Sequence, residues 1–267
     1  MTQDGVERLR RWRDEDRGVP PAVGRLRARL DMVEPASTLV RLPLHPELLR
    51  PGGHPTGAIT SLLADFGLTS SVVASLPDLR GVSTISLTVD HLRLPPVDGA
   101  LFAACRASAY ADGKPQHAAG VLHDEAGREI ACVSGWFLPS TAEALSADRV
   151  GLVQEPPADH LLDLLRIGPG SSFELVARDA LSNAIGSLHG GVGALASQLA
   201  AEAALGPDVR PLTSTFSYLR PTPRDGTVTV TGSVVRQGRR TGVSSATVVG
   251  PDDRPVLHAW LIAALSG

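Results

Sequence analysis

The sequence predicts an α+β chain of two tandem units, each a long central helix wrapped by a curved antiparallel sheet. Three observations carry this expectation. The segment Thr56–Asp65 aligns without gaps on His189–Gln198, about 130 residues further along. That offset is too long for a solenoid repeat and suits a complete small domain, so duplication and fusion is the simplest account. Both segments lead into helices that are apolar nearly all round (Val192, Ala194, Leu195, Ala196, Leu199, Ala200), a pattern that demands burial. Four runs of β character follow each helix.

Taken in order, residues 1–35 read as a polar helical extension, broken at Pro20 and Pro21. Ser37 to Leu44 alternates like a strand. Pro51 to Pro55 is a loop, and Thr56 is placed to cap a helix from Gly57 to about Val73. Ser83–Leu94, Leu101–Tyr110 and His117–Leu122 read as strands, and the turn Asp124–Gly127 leads into Glu129–Phe137. The first unit is therefore expected over 36–140 and a polar, Pro-bearing linker over 141–158. The second unit, 159–267, repeats the order. Asp159 caps a short helix Leu161–Ile167, Ser172–Ala180 is a strand and Gly190–Leu205 a helix. Strands Leu212–Leu219, Thr227–Val235, Gly242–Val249 and Pro255–Leu265 complete it. One helix enclosed by one curved antiparallel sheet is the layout called a hotdog, and the Gly and Ala of these helices let backbone and sheet approach closely.

Composition narrows the function. A net charge of −3 gives no basic footprint for nucleic acid. No apolar run reaches the roughly 18 residues of a membrane span. The N-terminus, with Arg8, Arg10, Arg11 and Arg13 among acids, lacks the apolar core of a signal peptide, so a cytoplasmic location is expected. Aromatic residues are only 4%, so the core must be built from Ala, Val and Leu. Cys105 and Cys132 sit in strand-like stretches without metal spacing and are expected as buried thiols rather than a disulfide. His91, His117 and His123 also lack the spacing of a zinc site; no metal is expected.

The two copies of the motif differ in complementary ways. The first ends in a carboxylate, Asp65, but starts with Thr56 and has Arg50 six residues earlier. The second starts with His189, Gly190 and Gly191, has Asn183 six residues earlier, and ends in Gln198. Eight helical residues separate Gly190 from Gln198, about 12 Å along the axis. The start and end of one motif therefore cannot both touch one small reacting group.

Over Asn183-Ala184-Ile185-Gly186-Ser187-Leu188-His189-Gly190-Gly191 the sequence resembles the hotdog thioesterases of the phenylacetate-pathway type. Tyr218-Leu219-Arg220-Pro221 and Val235–Arg239 extend the resemblance, with His91–Pro95 and Tyr110–Lys114 as first-half counterparts. In that family the site lies between two hotdogs with antiparallel helices, one giving its helix N-terminus and the other its carboxylate. The resemblance thus implies one equipped site, Asn183, His189 and Gly190 with Asp65 and Thr84, and one degenerate site, Arg50, Thr56 and Gly57 with Gln198. At the degenerate site the counterpart of Thr84 falls near Pro211, which has no hydroxyl.

The roles follow from chemistry. The Gly190 amide, unpaired at a helix N-terminus, suits a thioester oxygen and the oxyanion it becomes. Asp65 suits a general base or a nucleophile, Thr84 can hold the water, and Asn183 and His189 can fix the loop, the carbonyl or the leaving sulfur. Gly191 and the hairpin arginines Arg236, Arg239 and Arg240 are the candidates for substrate binding, the arginines for coenzyme A phosphates. The expected activity is hydrolysis of an acyl-CoA, with no cofactor beyond the coenzyme A of the substrate and with self-association into a homo-oligomer. The alternative is a catalytically silent acyl-CoA-binding or regulatory protein. A hydratase would need a His and an acid within one motif, and none is present.

Overall fold

The computed structural model describes residues 4–15, 19–78, 80–143 and 155–265. Five helices are described: α1 (Gly5–Glu15), α2 (Pro21–Arg25), α3 (Ala58–Val73), α4 (Leu161–Leu165) and α5 (Gly190–Leu205). The strands of the first half are β1 (Arg29–Glu34), β2 (Ser37–Pro43), β3 (Arg80–His91), β4 (Ala100–Ala107), β5 (Gln116–Asp124) and β6 (Glu129–Glu143). Those of the second are β7 (Ser172–Val176), β8 (Val209–Tyr218), β9 (Thr227–Gln237), β10 (Thr241–Val249) and β11 (Pro255–Leu265). All belong to one antiparallel sheet in the order β1-β2-β4-β5-β6-β3-β8-β11-β10-β9-β7.

That order reads the same from both sides of its middle. The strand preceding each long helix lies outermost in its half, β1 aside, and the strand following it lies at the seam. The seam pairs β3 with β8 from Ser86↔Ser217 to Asp90↔Thr213. Alternation drives the layering: Leu87 and Val89 of β3 and Phe216 of β8 point into the core, while Trp136 and Trp260 remain partly exposed on the other face. Helices α3 and α5 are buried along almost their whole length. Glycine is required where they meet, because a Cβ on Gly191 would lie 2.7 Å from the carbonyl oxygen of Leu62.

The N-terminal region departs from the expected extension. Arg29–Glu34 is not helical but a sixth first-half strand, with Leu30 and Val33 buried between charged neighbours that mask the alternation. Helix α1 inserts Leu9 and Trp12 into the core and abuts α3, where a Cβ on Gly5 would collide with the Val73 carbonyl at 1.7 Å. Helix α2 is clasped to the second half: the Ala22 amide donates to the Ser182 carbonyl at 3.0 Å. Beneath it Glu47 takes both Arg25 (2.5 Å) and Arg27 (2.9 Å), and Glu155 takes Arg178 (2.7 Å).

Smaller corrections have local causes. Helix α4 is capped by His160, whose Nδ1 accepts from the Asp163 amide at 3.3 Å, and not by Asp159. The strand placed at Ser172–Ala180 stops at Val176, because a 3-10 turn begins at Asp179. Strand β6 runs to Glu143, into the segment expected as linker, whose residues 144–154 lie outside the described residues. Both cysteines are free, but only Cys105 is buried; Cys132 faces outward on β6.

Candidate active site

The N-terminus of α5 and the middle of α3 face one another across a cleft of about 250 Å³ that opens beside the β3–β8 seam. Asp65, Thr84, Asn183, His189 and Gly190 all line it. Asp65 and Thr84 stand about a hundred positions before Asn183, His189 and Gly190 in the sequence, and the seam with its two antiparallel helices brings them together. Asp65 is 2% exposed and is the one charged residue of α3. Its Oδ1 accepts the Thr84 hydroxyl at 2.8 Å, and Oδ2 lies 3.5 Å from His189 Nδ1. A Cβ on Gly190 would sit 2.9 Å from Asp65 Oδ2, so the carboxylate packs directly on the bare α-carbon that opens α5.

His189 is the N-cap of α5, and its Nδ1 accepts the Gly191 amide at 3.1 Å. An accepting Nδ1 carries no proton, which makes the ring neutral with its proton on Nε2. Burial acts in the same direction, lowering the His189 pKa against the opposing pull of Asp65. Asn183 acts on the loop. Its Oδ1 accepts the amides of Ile185 and Ser187, each at 3.0 Å, and its Nδ2 donates to the Ser187 hydroxyl at 2.9 Å. Of the roles left open by the sequence, this geometry supports loop fixation by Asn183. The Gly190 amide, first in the helix, has no intrahelical acceptor and lies at the positive end of the helix dipole.

Burial raises the Asp65 pKa above its usual 3.8, while the Thr84 hydroxyl and the Gly191 amide pull it down without cancelling the rise. A base must be ionised, so activity should fall as pH drops through this raised value. Thr84→Val removes a donor that favours the charged form. The acid limb of kcat/KM against pH is then expected to move to higher pH, whereas a purely structural Thr84 would leave its position unchanged.

The structure places the substrate-binding candidates away from the cleft wall. Gly191 faces α3, and its amide is held by His189, so it packs helices and does not line the cleft. Arg236, Arg239 and Arg240 are exposed and absent from the cleft wall. Their hairpin rests on the C-terminal end of α5, with Gln237 Nε2 donating to the Leu205 carbonyl at 3.4 Å. That end is about 22 Å from Gly190 along the helix. Antiparallel helices place the first-half hairpin near the cleft instead: Gln116 beside it bonds Ser75 past the end of α3, and Asp112 holds Arg80 at 2.8 Å.

Tyr218 is the site residue that sequence reasoning missed. It lines the cleft, and its hydroxyl donates to the Gly190 carbonyl at 3.0 Å. Burial, followed by the Asp65 charge, pushes its pKa well above the normal tyrosine value, which keeps the hydroxyl protonated. The repeat held the signal, since Tyr218 aligns with His91 at the matching strand end.

The opposite end of the helix pair is built from the equivalent positions but is packed shut. Gln198 accepts the Ser61 hydroxyl at 2.6 Å and donates to Glu202 at 2.8 Å. Arg50 pairs with Glu202, and the Thr56 hydroxyl donates to it at 3.4 Å. The Pro211 ring lies 2.5 Å from where a Cβ on Gly57 would sit. His91, buried and with its pKa lowered to about 4 by that burial, spans Thr60 (3.0 Å) and Ser214 (2.9 Å). Gln198→Ala would strip partners from Ser61 and Glu202, and a loss of about 1–3 kcal/mol in stability is expected, read from denaturant midpoints. Turnover by the folded fraction should stay near the parent's.

Residues 179–263, which include α5, β8 to β10 and most of β11, match a family model described as "Acyl-CoA thioesterase N-terminal domain". Sequence comparison with curated proteins yields no match. Among solved structures the chain is similar to a tesB protein from Mycobacterium avium subs paratuberculosis, at 10% identity and TM-score 0.63, over 94% of this chain and 100% of that one. It is similar to the 12:0-ACP thioesterase from Umbellularia californica at 12% identity and TM-score 0.56, over 86% and 95%. It is also similar to a hot dog fold protein of unknown function from Alicyclobacillus acidocaldarius, at 13% identity and TM-score 0.55, over 89% and 96%. At these identities the likeness shows the fold, a mixed helix and sheet architecture with a large antiparallel sheet.

Proposed function

We propose that this chain is a thioester hydrolase acting on acyl-CoA substrates at one composite site, the Asp65–Gly190 cleft. The observation that carries this reading is a buried carboxylate, hydrogen-bonded by Thr84, set against the free N-terminus of a helix. The match of residues 179–263 to an acyl-CoA thioesterase model supports it, as does likeness to structures named as thioesterases.

In this reading the thioester oxygen lies on the Gly190 amide and a water beside Asp65. Asp65 takes a proton as the water attacks the carbonyl carbon. The oxyanion of the tetrahedral intermediate is held by the Gly190 amide and the dipole of α5. Collapse breaks the C–S bond, and the proton returns to the departing thiolate to give free acid and coenzyme A. Tyr218 holds the Gly190 carbonyl and so fixes the peptide group at the helix start. Asn183 and His189 shape the loop that presents it.

We further propose that the chain is a tandem double hotdog in which the first unit supplies Asp65 and Thr84 and the second supplies Asn183, His189 and Gly190. The palindromic strand order supports this, as does the aligned but closed Gln198 end. Self-association, implied by the family resemblance, would use the outer sheet face that carries Trp136 and Trp260, and light scattering tests it. Incubation with a panel of acyl-CoAs, following free thiol release, tests the activity. Thiol release above the spontaneous rate is expected; binding without release would favour a silent acyl-CoA-binding protein.

A further inference from the structure

The internal repeat supplies a control for the shape of the cleft. Four residues beyond Gln198 stands Glu202, and four beyond Asp65 stands Thr69. At the closed end Glu202 and Arg50 pair and fill the space between helix and loop. At the open end the same two positions are Thr69 and Asn183, and the Asn183 side chain is spent on its own loop. The Thr69 hydroxyl is buried and has no hydrogen-bond partner among the described residues, and Thr69 and Asn183 border a cavity where Glu202 and Arg50 fill the closed end.

Beside the cleft lies a chamber of about 60 Å³, and Thr69, Val82, Asn183, Ile185 and His189 line both. Phe66 and Val73 of α3 add apolar wall, and Phe66 meets the His189 ring edge-on at 6.3 Å. The outer wall comes from neither long helix nor the sheet. It is Arg8 and Trp12 of α1, with Pro20. The Arg8 guanidinium is already engaged, stacked 5.0 Å over the Trp12 ring and donating to the Arg80 carbonyl at 3.4 Å. Trp12 and Phe66 also border a second cavity of about 330 Å³, where Val19, Val23 and Leu30 form the apolar wall and Arg13, Arg27, Arg29, Asp31 and Arg41 the charged rim.

We infer that the chamber receives the distal part of a straight-chain aliphatic acyl group, and that Trp12, delivered by the N-terminal extension, sets how long that chain can be. The inference rests on the hydrolase reading and adds the substrate class and a specificity residue. An aliphatic chain suits the walls because their polar groups are either engaged or small. A chain entering past His189 ends on the indole, and a longer chain would need the space beyond it.

The test is free thiol release from straight-chain acyl-CoAs of two to sixteen carbons, by the parent, Trp12→Leu and Thr69→Leu. Trp12→Leu joins the chamber to the outer cavity. The ratio of kcat/KM for tetradecanoyl over octanoyl substrate should rise by about tenfold or more, the scale of discrimination that a methylene or two gives in an apolar pocket. Thr69→Leu narrows the entrance, and the octanoyl over acetyl ratio should fall by a similar factor. Thr69→Leu keeps the inference testable even where Trp12→Leu loosens α1. If the parent hydrolyses acyl-CoAs and neither variant shifts its ratio by more than about twofold, the chamber assignment falls and the hydrolase reading stands. If the parent hydrolyses no chain length, both fall.

Discussion

Asp65→Asn should lower kcat for acyl-CoA hydrolysis by about 10²–10⁴-fold, the usual contribution of a positioned general base. The fold should survive it. Asn has the same shape, and its Oδ1 can still accept the Thr84 hydroxyl. Removing a buried carboxylate whose ionisation is opposed by burial also relieves a cost. The Tm is therefore not expected to fall, and binding of a non-hydrolysable acyl-CoA thioether should persist. A loss of activity accompanied by unfolding would make Asp65 a structural acid.

Gly190→Ala is the second large effect. The new methyl would lie 2.9 and 3.0 Å from the two carboxylate oxygens of Asp65. Asp65 is 2% exposed and tied to the Thr84 hydroxyl, so relief of the clash costs that bond or moves the helix; either the carboxylate shifts or the start of α5 does. Both movements pull the base and the oxyanion donor out of register, and a displacement of about 1 Å in such a pair costs on the order of 10²-fold in rate. The amide itself is retained, so the expected signature is a drop in kcat larger than any rise in KM. Equal activity in the alanine variant would show that the cleft does not need this close approach.

The parts of the site that were legible in the sequence are those fixed by local geometry. Asp65 stood out as a carboxylate on an apolar helix, Gly190 as the opening residue of another, and both helices fall within a residue of their expected bounds. Pairing the two across the chain needed the repeat, because neither motif alone could reach one reacting group. What the sequence did not carry was tertiary placement. The Arg236–Arg240 hairpin has the composition of a phosphate grip, yet antiparallel helices put it at the closed end. Tyr218 looked like a strand end because its bond to the Gly190 carbonyl joins residues that only packing brings together. Strand β1 was hidden by Arg29, Asp31 and Glu34 on its outer face.

The closed end also answers whether a second site could be restored by substitution. Rebuilding Arg50→Asn, Thr56→His and Gln198→Asp would leave Pro211 against Gly57 and Glu202 buried without its arginine. Little or no recovered activity is expected in an Asp65→Asn background, since the obstacle is occupied space as much as missing groups.

The central claim is that one composite site per chain does the chemistry. The most direct test is a crystal structure with a non-hydrolysable acyl-CoA thioether. The account predicts one ligand per chain, its carbonyl-equivalent atom within hydrogen-bond reach of the Gly190 amide and its reacting carbon facing Asp65. A ligand seated between Gly57 and Gln198, or one whose reacting carbon lies away from Asp65, would contradict it.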